Sequence, residues 1–132
     1  MTDAAEIVRE FCAAVSKRDA ELLRPLLADD VVYHNMGMEA TVGIEATLAN
    51  LSGQWAMFPE VYEWHVRNLM TDGNVVMTER IDTVGMNGAR APVPVSGTFE
   101  ISNGKIHRWR DYYDSALVGK MLAGQDTSNL VS

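Results

Sequence analysis

Apolar residues recur at helical spacing at the start of the chain. Ala4, Ile7, Val8, Phe11, Cys12 and Val15 form one face of a helix predicted over about residues 3–17. Cys12 lies on that face, so it reads as a small buried hydrophobe. Asp19 is placed to cap a second, short helix carrying Leu22, Leu23, Leu26 and Leu27, with Asp29-Asp30 as its exit. A strand follows from about Val31 to Met36, and residues 37–43 form a glycine-containing loop. Ile44, Leu48, Leu51 and Trp55 then return to helical spacing, and Pro59 ends that helix.

Beyond Pro59 the pattern changes to strands. Runs at about 61–71, 74–85, 92–102 and 105–114 are predicted, with Asp72-Gly73-Asn74 and Asn103-Gly104 supplying tight turns. A last helix is expected over about 114–123, before a polar tail. Helices first and hairpin-linked strands afterwards indicate an α+β fold, with N-terminal helices packed over a curved, mostly antiparallel sheet. No repeat or boundary interrupts the pattern, so residues 1–132 read as one domain.

Composition narrows the partners. A share of 47% hydrophobic and 22% charged residues is that of an ordinary globular chain. A net charge of −7 with scattered basic residues argues against nucleic acid. No apolar run approaches the roughly 18–20 residues of a membrane helix. The first residues, from Met1 to Glu6, lack the features of a secretory leader, so a cytoplasmic location is expected. Cys12 is the single cysteine, and His34, His65 and His107 are widely spaced; neither a disulfide framework nor a metal site is expected.

Strand alternation brings out polar residues on faces that should be buried. Trp109, Asp111 and Tyr113 share one face, which sets a carboxylate between aromatics. A buried carboxylate needs a dedicated partner. Val76, Thr78, Arg80, Asp82 and Val84 share another face, with Arg80 beside Asp82. A guanidinium has donors enough for two carboxylates, so adjacency of the two strands would let Arg80 bridge Asp82 and Asp111. From alternation alone, a structural or solvent-facing ion-pair cluster is the commoner explanation. Val31, Tyr33 and Asn35 form a third row, on which Tyr33 and Asn35 can hold one small object such as water; His34 points the other way.

These segments together resemble the limonene-1,2-epoxide hydrolase family. Tyr33-His34-Asn35-Met36, then Thr78-Glu79-Arg80-Ile81-Asp82, then Gly104-Lys105-Ile106 through Trp109-Arg110-Asp111-Tyr112-Tyr113-Asp114 carry the likeness. The resemblance implies the cone-shaped α+β fold shared with ketosteroid isomerase and nuclear transport factor two. It further implies a deep pocket, a homodimer and a cofactor-free hydrolase acting on a small hydrophobic epoxide and water. By that likeness Asp111 is the general base, Tyr33 and Asn35 position the attacking water, Asp82 is the general acid and Arg80 orients both aspartates. The N-terminal arm is short beside that of the terpene enzyme, which bears on how the pocket closes.

An apolar substrate calls for an apolar pocket. The residues expected to touch it are Met36, Trp55, Phe58, Met86, Phe99, Trp109 and Leu117, with Met38, Met77, Val93 and Val95 as further candidates. Eight methionines suit an adaptable lining, and equally a core. Two other functions stay open on the same fold: an isomerase or cyclase, and a non-catalytic ligand-binding domain.

Overall fold

A computed structural model describes residues 3–132. Met1 and Thr2, part of the stretch searched for a leader, lie outside the described residues. Helix α1 (Ala4–Val15) is capped by Asp3, whose carboxylate accepts from the Glu6 backbone N–H at 2.8 Å. It buries Ile7, Val8, Phe11, Cys12 and Val15, the predicted face. Burial pushes the Cys12 thiol up to about 12, so this side chain is an inert core group.

Asp19 caps α2 (Ala20–Leu23), but that helix is shorter than expected. Pro25 has no N–H to continue the ladder, and the chain tightens into a 3-10 turn over Arg24–Leu26. Strand β1 (Leu27–Asn35) therefore begins four residues before the predicted Val31. Its register against the last strand slips between Leu27 and Val32, which leaves Asp29 and Asp30 exposed inside the strand rather than in a helix exit. The predicted loop also holds a two-residue strand, β2 (Thr41–Val42), paired with Val32 and Tyr33.

Helix α3 (Ile44–Met57) starts from Gly43 at φ 96°, a conformation that favours glycine, and buries Ile44, Leu48, Leu51 and Trp55. Strands β3 (Val61–Asp72), β4 (Val75–Met86), β5 (Ala89–Ser102) and β6 (Lys105–Tyr112) follow. The β4–β5 hairpin closes at Asn87-Gly88, both at positive φ, so β5 starts before the predicted residue 92. Pro92 and Pro94 hid this start. They are tolerated because β6 pairs with β5 only from Ser96 onward, leaving the proline stretch bonded on its β4 side alone. Helix α4 (Ser115–Leu122) is capped by Asp114.

The strands form one curved, open sheet in the order β2-β1-β6-β5-β4-β3, antiparallel except where β1 runs parallel to β6. Helices α1, α3 and α4 pack against it, giving the α+β architecture. Beneath α1 an aromatic cluster fills the core: Phe11, Phe99, Trp64 and Trp109 meet mostly edge to face, with Phe11 5.1 Å from Trp109. No helix among the described residues is long and apolar enough to cross a membrane.

Candidate active site

The inward row of β4 carries Val76, Thr78, Arg80, Asp82 and Val84, and all five are buried. Arg80 is wholly buried, a placement that demands compensation for its charge. It is compensated by all five guanidinium N–H groups. Nε and Nη2 donate to Asp82 at 3.0 and 2.8 Å, and Nη1 and Nη2 donate to Asp111 at 3.1 and 3.0 Å. The fifth N–H, on Nη1, reaches Thr78 Oγ1 at 3.3 Å. The underside of the guanidinium rests on Trp64, with Cζ 4.0 Å from the ring centre.

The two aspartates are not on neighbouring strands. Strand β5 lies between β4 and β6, and Gly97 faces Thr78 on one side and Asp111 on the other. A Cβ at position 97 would fall 2.3 Å from Arg80 Nη1 and 2.6 Å from Asp111 Oδ1. Arg80 therefore reaches across the middle strand through the space that glycine leaves. The adjacency considered from alternation is replaced by this crossing.

Asp111 is held from a second direction by Trp109 Nε1, which donates to Oδ1 at 3.0 Å. The same indole stacks on the Tyr33 ring at 3.8 Å, because β1 and β6 run in parallel with Tyr33 opposite Trp109 and Asn35 opposite Asp111. Tyr33 and Asn35 thus stand beside the carboxylate, and Asn35 Nδ2 donates to the Tyr33 hydroxyl at 2.9 Å. From α3, Gln54 Nε2 donates to the same hydroxyl at 3.0 Å.

Burial sets the protonation tendencies. It pushes the Asp82 carboxyl up to about 6 against the opposing charge and hydrogen bonds of Arg80, with Asp111 adding to the rise. Burial works against the Arg80 charge, but the two carboxylates outweigh it and hold the guanidinium well above its usual value. Burial and then the Asp111 charge raise Tyr33, so its phenol keeps its proton.

Asp82, Asp111, Tyr33 and Asn35 all open on one cavity of about 340 Å³. Its other walls are mainly apolar, from residues such as Phe58, Trp64, Val84, Val93, Val95 and Val118, with Met38 and Met57 at exposed positions. Of the residues expected to touch a substrate, Phe58 lines this space. Phe99 and Trp109 are fully buried in the aromatic core, and Trp55 packs against Tyr62 behind the wall. Met36 lies beyond the end of β1 with its side chain exposed, and Met86 is the last residue of β4, at the hairpin end. Leu117 lines a separate depression, with Pro94 and Asp114 among its other walls. Met77 projects from the opposite face of β4. His34 is turned to the Met38 carbonyl oxygen, 2.7 Å from Nε2, and takes no part in the cavity wall.

Sequence reasoning missed Trp64, Gln54, Tyr62 and Gly97. Tyr62 and Trp64 alternate on the inward face of β3, a signal that period-two reading could have used. Gln54 follows Leu51 by three residues, which puts it on the buried side of α3. Among the described residues no group of three His, Cys, Asp or Glu side chains converges as metal ligands would.

Comparison with known proteins identifies the family and the fold. The family model of the limonene-1,2-epoxide hydrolase catalytic domain matches residues 2–123. Epoxide hydrolase EphG of Mycobacterium tuberculosis (strain ATCC 25618 / H37Rv) is 32% identical over 110 residues, spanning 81% of this chain and 70% of that protein. The solved structure of an M. tuberculosis LEH-like epoxide hydrolase superposes with a TM-score of 0.81 at 30% identity, covering 96% of this chain and 94% of that one. A protein with a ketosteroid isomerase-like fold from Catenulispora acidiphila DSM 44928 reaches a TM-score of 0.82 at 22% identity, covering 92% and 94%, a likeness of fold alone. The chain belongs to the limonene-1,2-epoxide hydrolase family.

Proposed function

We propose that this protein hydrolyses a small hydrophobic epoxide, cyclic or terpene-like, to a vicinal diol in one concerted step without a covalent intermediate. The observation that carries the reading is the single buried guanidinium that binds both aspartates while each keeps an edge on the same apolar cavity. Opening an epoxide requires a proton for the departing oxygen and a base for the attacking water. Asp111, beside Tyr33 and Asn35, is placed to take the proton from a water held among them. Asp82, raised towards neutral pH by burial, is suited to donate to the epoxide oxygen. General acid and base groups each contribute roughly 10²–10⁴-fold in rate.

The water oxygen bonds to one ring carbon as its proton passes to Asp111. The other carbon–oxygen bond is kept, and the broken one leaves an oxygen that takes the Asp82 proton. Both oxygens end as hydroxyls, and return of a proton from Asp111 to Asp82 resets the pair. Arg80 keeps its charge throughout and fixes the separation of acid and base. The reading carries with it one domain, a cytoplasmic homodimer, and no cofactor, nucleic-acid or membrane partner.

The test is diol formation from cyclohexene oxide by the purified protein, compared with Asp82→Asn and Asp111→Asn. Turnover by the parent and none by either folded variant is the expected result. Full activity in either variant would remove that aspartate from the scheme.

A further inference from the structure

Gln54 has no place in the chemistry above, yet its amide is held at both ends. Its Nε2 donates to Asn50 Oδ1 at 2.8 Å, one helical turn back on α3, and to Tyr33 Oη at 3.0 Å. Its Oε1 accepts from the Tyr62 hydroxyl at 2.5 Å. Asn50 Nδ2 in turn leans on Thr41 Oγ1 at 3.4 Å, in β2. Reversing the Gln54 amide would set oxygen against the Asn50 oxygen and leave the Tyr62 hydroxyl proton without its acceptor, so these partners favour the observed orientation.

The consequence falls on Tyr33. Its oxygen accepts from Gln54 Nε2 and from Asn35 Nδ2, and neither amide nitrogen can accept in return. Its ring is clamped on Trp109, which removes the freedom to seek another partner by moving. The phenolic proton is left with the cavity as its direction.

We infer that Gln54 is a positioning residue that fixes Tyr33 as a hydrogen-bond donor into the cavity, and thereby orients the attacking water. A water that accepts from Tyr33 and donates to Asp111 keeps its other lone pair for the epoxide carbon. A Tyr33 hydroxyl turned the other way would accept from that water and compete with Asp111 for its protons. This deepens the hydrolase reading and rests on it for its effect on rate, while the direction of the hydroxyl stands on the geometry alone.

Two variants separate direction from packing. Gln54→Glu keeps the shape but offers only acceptors when ionised, so the Tyr33 hydroxyl turns to it. Gln54→Met removes the amide and supplies no acceptor. With cyclohexene oxide as probe, kcat is expected to fall about 10²-fold in Gln54→Glu and less in Gln54→Met, with KM changed little in both. A merely structural role predicts the opposite order, since glutamate is the closer replacement. The Raman doublet of Tyr33, isolated by subtracting the spectrum of the matching Tyr33→Phe protein, reads the hydroxyl directly. It should shift towards a strong donor in Gln54→Glu. An unchanged doublet, parental kcat in Gln54→Glu, or a larger loss in Gln54→Met would overturn the inference. A shifted doublet in a protein that turns over no epoxide would count against the hydrolase reading and support the assigned direction of Tyr33.

Discussion

Gly97 and Arg80 are matched: the arginine side chain occupies the space that a Cβ at position 97 would need, at 2.3 Å from Nη1. The glycine sits between the strands that carry the two aspartates, so its missing side chain is what lets one guanidinium bind both. Gly97→Ala is expected to destabilise the fold by about 1–3 kcal/mol, the usual range for overpacking. Neither Arg80 nor Asp111 can yield easily, because each is held by several hydrogen bonds. Epoxide turnover should drop about 10²-fold from the displaced carboxylate. Thermal unfolding and kcat measured on the same sample check both.

Replacing Arg80 by Met keeps much of the volume and removes the charge. Two buried carboxylates then lack their partner, a change that costs about 3–5 kcal/mol when one side of a buried ion pair is lost. The sign of its pH dependence follows from linkage. Burial raises the Asp82 carboxyl and Arg80 opposes that rise, so without Arg80 its folded-state pKa climbs further above the unfolded value. Folding is then favoured when Asp82 is protonated, and that advantage is lost as pH rises through the folded value. The deficit relative to the parent should therefore shrink as pH falls from 8 to 5. Urea unfolding at the two pH values tests this, and a deficit that grows towards pH 5 would contradict it.

Asp82 sets an alkaline limit on turnover. Its carboxyl, pushed up to about 6 by burial against the pull of Arg80, must carry a proton to serve as acid. The active fraction should decline as pH rises through that value, approaching a tenfold loss per unit in kcat/KM. A pH–rate profile for the free enzyme tests this directly. A kcat/KM that stays level as pH rises from about 5 to about 8 would assign the acid role to another group.

Trp109→Phe separates two roles of one side chain. The phenyl ring can still stack on Tyr33, but the N–H that binds Asp111 Oδ1 at 3.0 Å is gone. A lost hydrogen bond to a charged group costs about 1.5–3 kcal/mol. Stability should fall within that range, with kcat lowered and KM little changed. Unfolding and steady-state kinetics on the variant check the pair of outcomes.

How much of this was legible in the sequence depended on the range of the interactions. Period-two alternation put Arg80 with Asp82 and Asp111 with Trp109, because side-chain direction along a strand is local. It could not order the strands, so the interposed β5 and the need for Gly97 were invisible. The spacing of Leu22, Leu23, Leu26 and Leu27 reads as one short helix, but Pro25 ends the α-helical ladder and the chain turns into β1 at Leu27. Pocket residues fared worst. Phe99, Trp109 and Trp55 were chosen for size and apolarity, the properties that also drive a side chain into the core. Gln54 escaped notice because a polar residue on an amphipathic helix is unremarkable until its partners on β1 and β3 are known.

The central claim is that a water held at Asp111 attacks the epoxide directly, with no carboxylate ester on the way. A single turnover of cyclohexene oxide in oxygen-18 water, with enzyme in excess, tests it. Direct attack predicts one oxygen-18 atom in the diol formed in that first turnover. An unlabelled first diol, with the label appearing only in later turnovers as an oxygen-18 atom taken up by an enzyme carboxylate is passed to the next epoxide, would contradict the account.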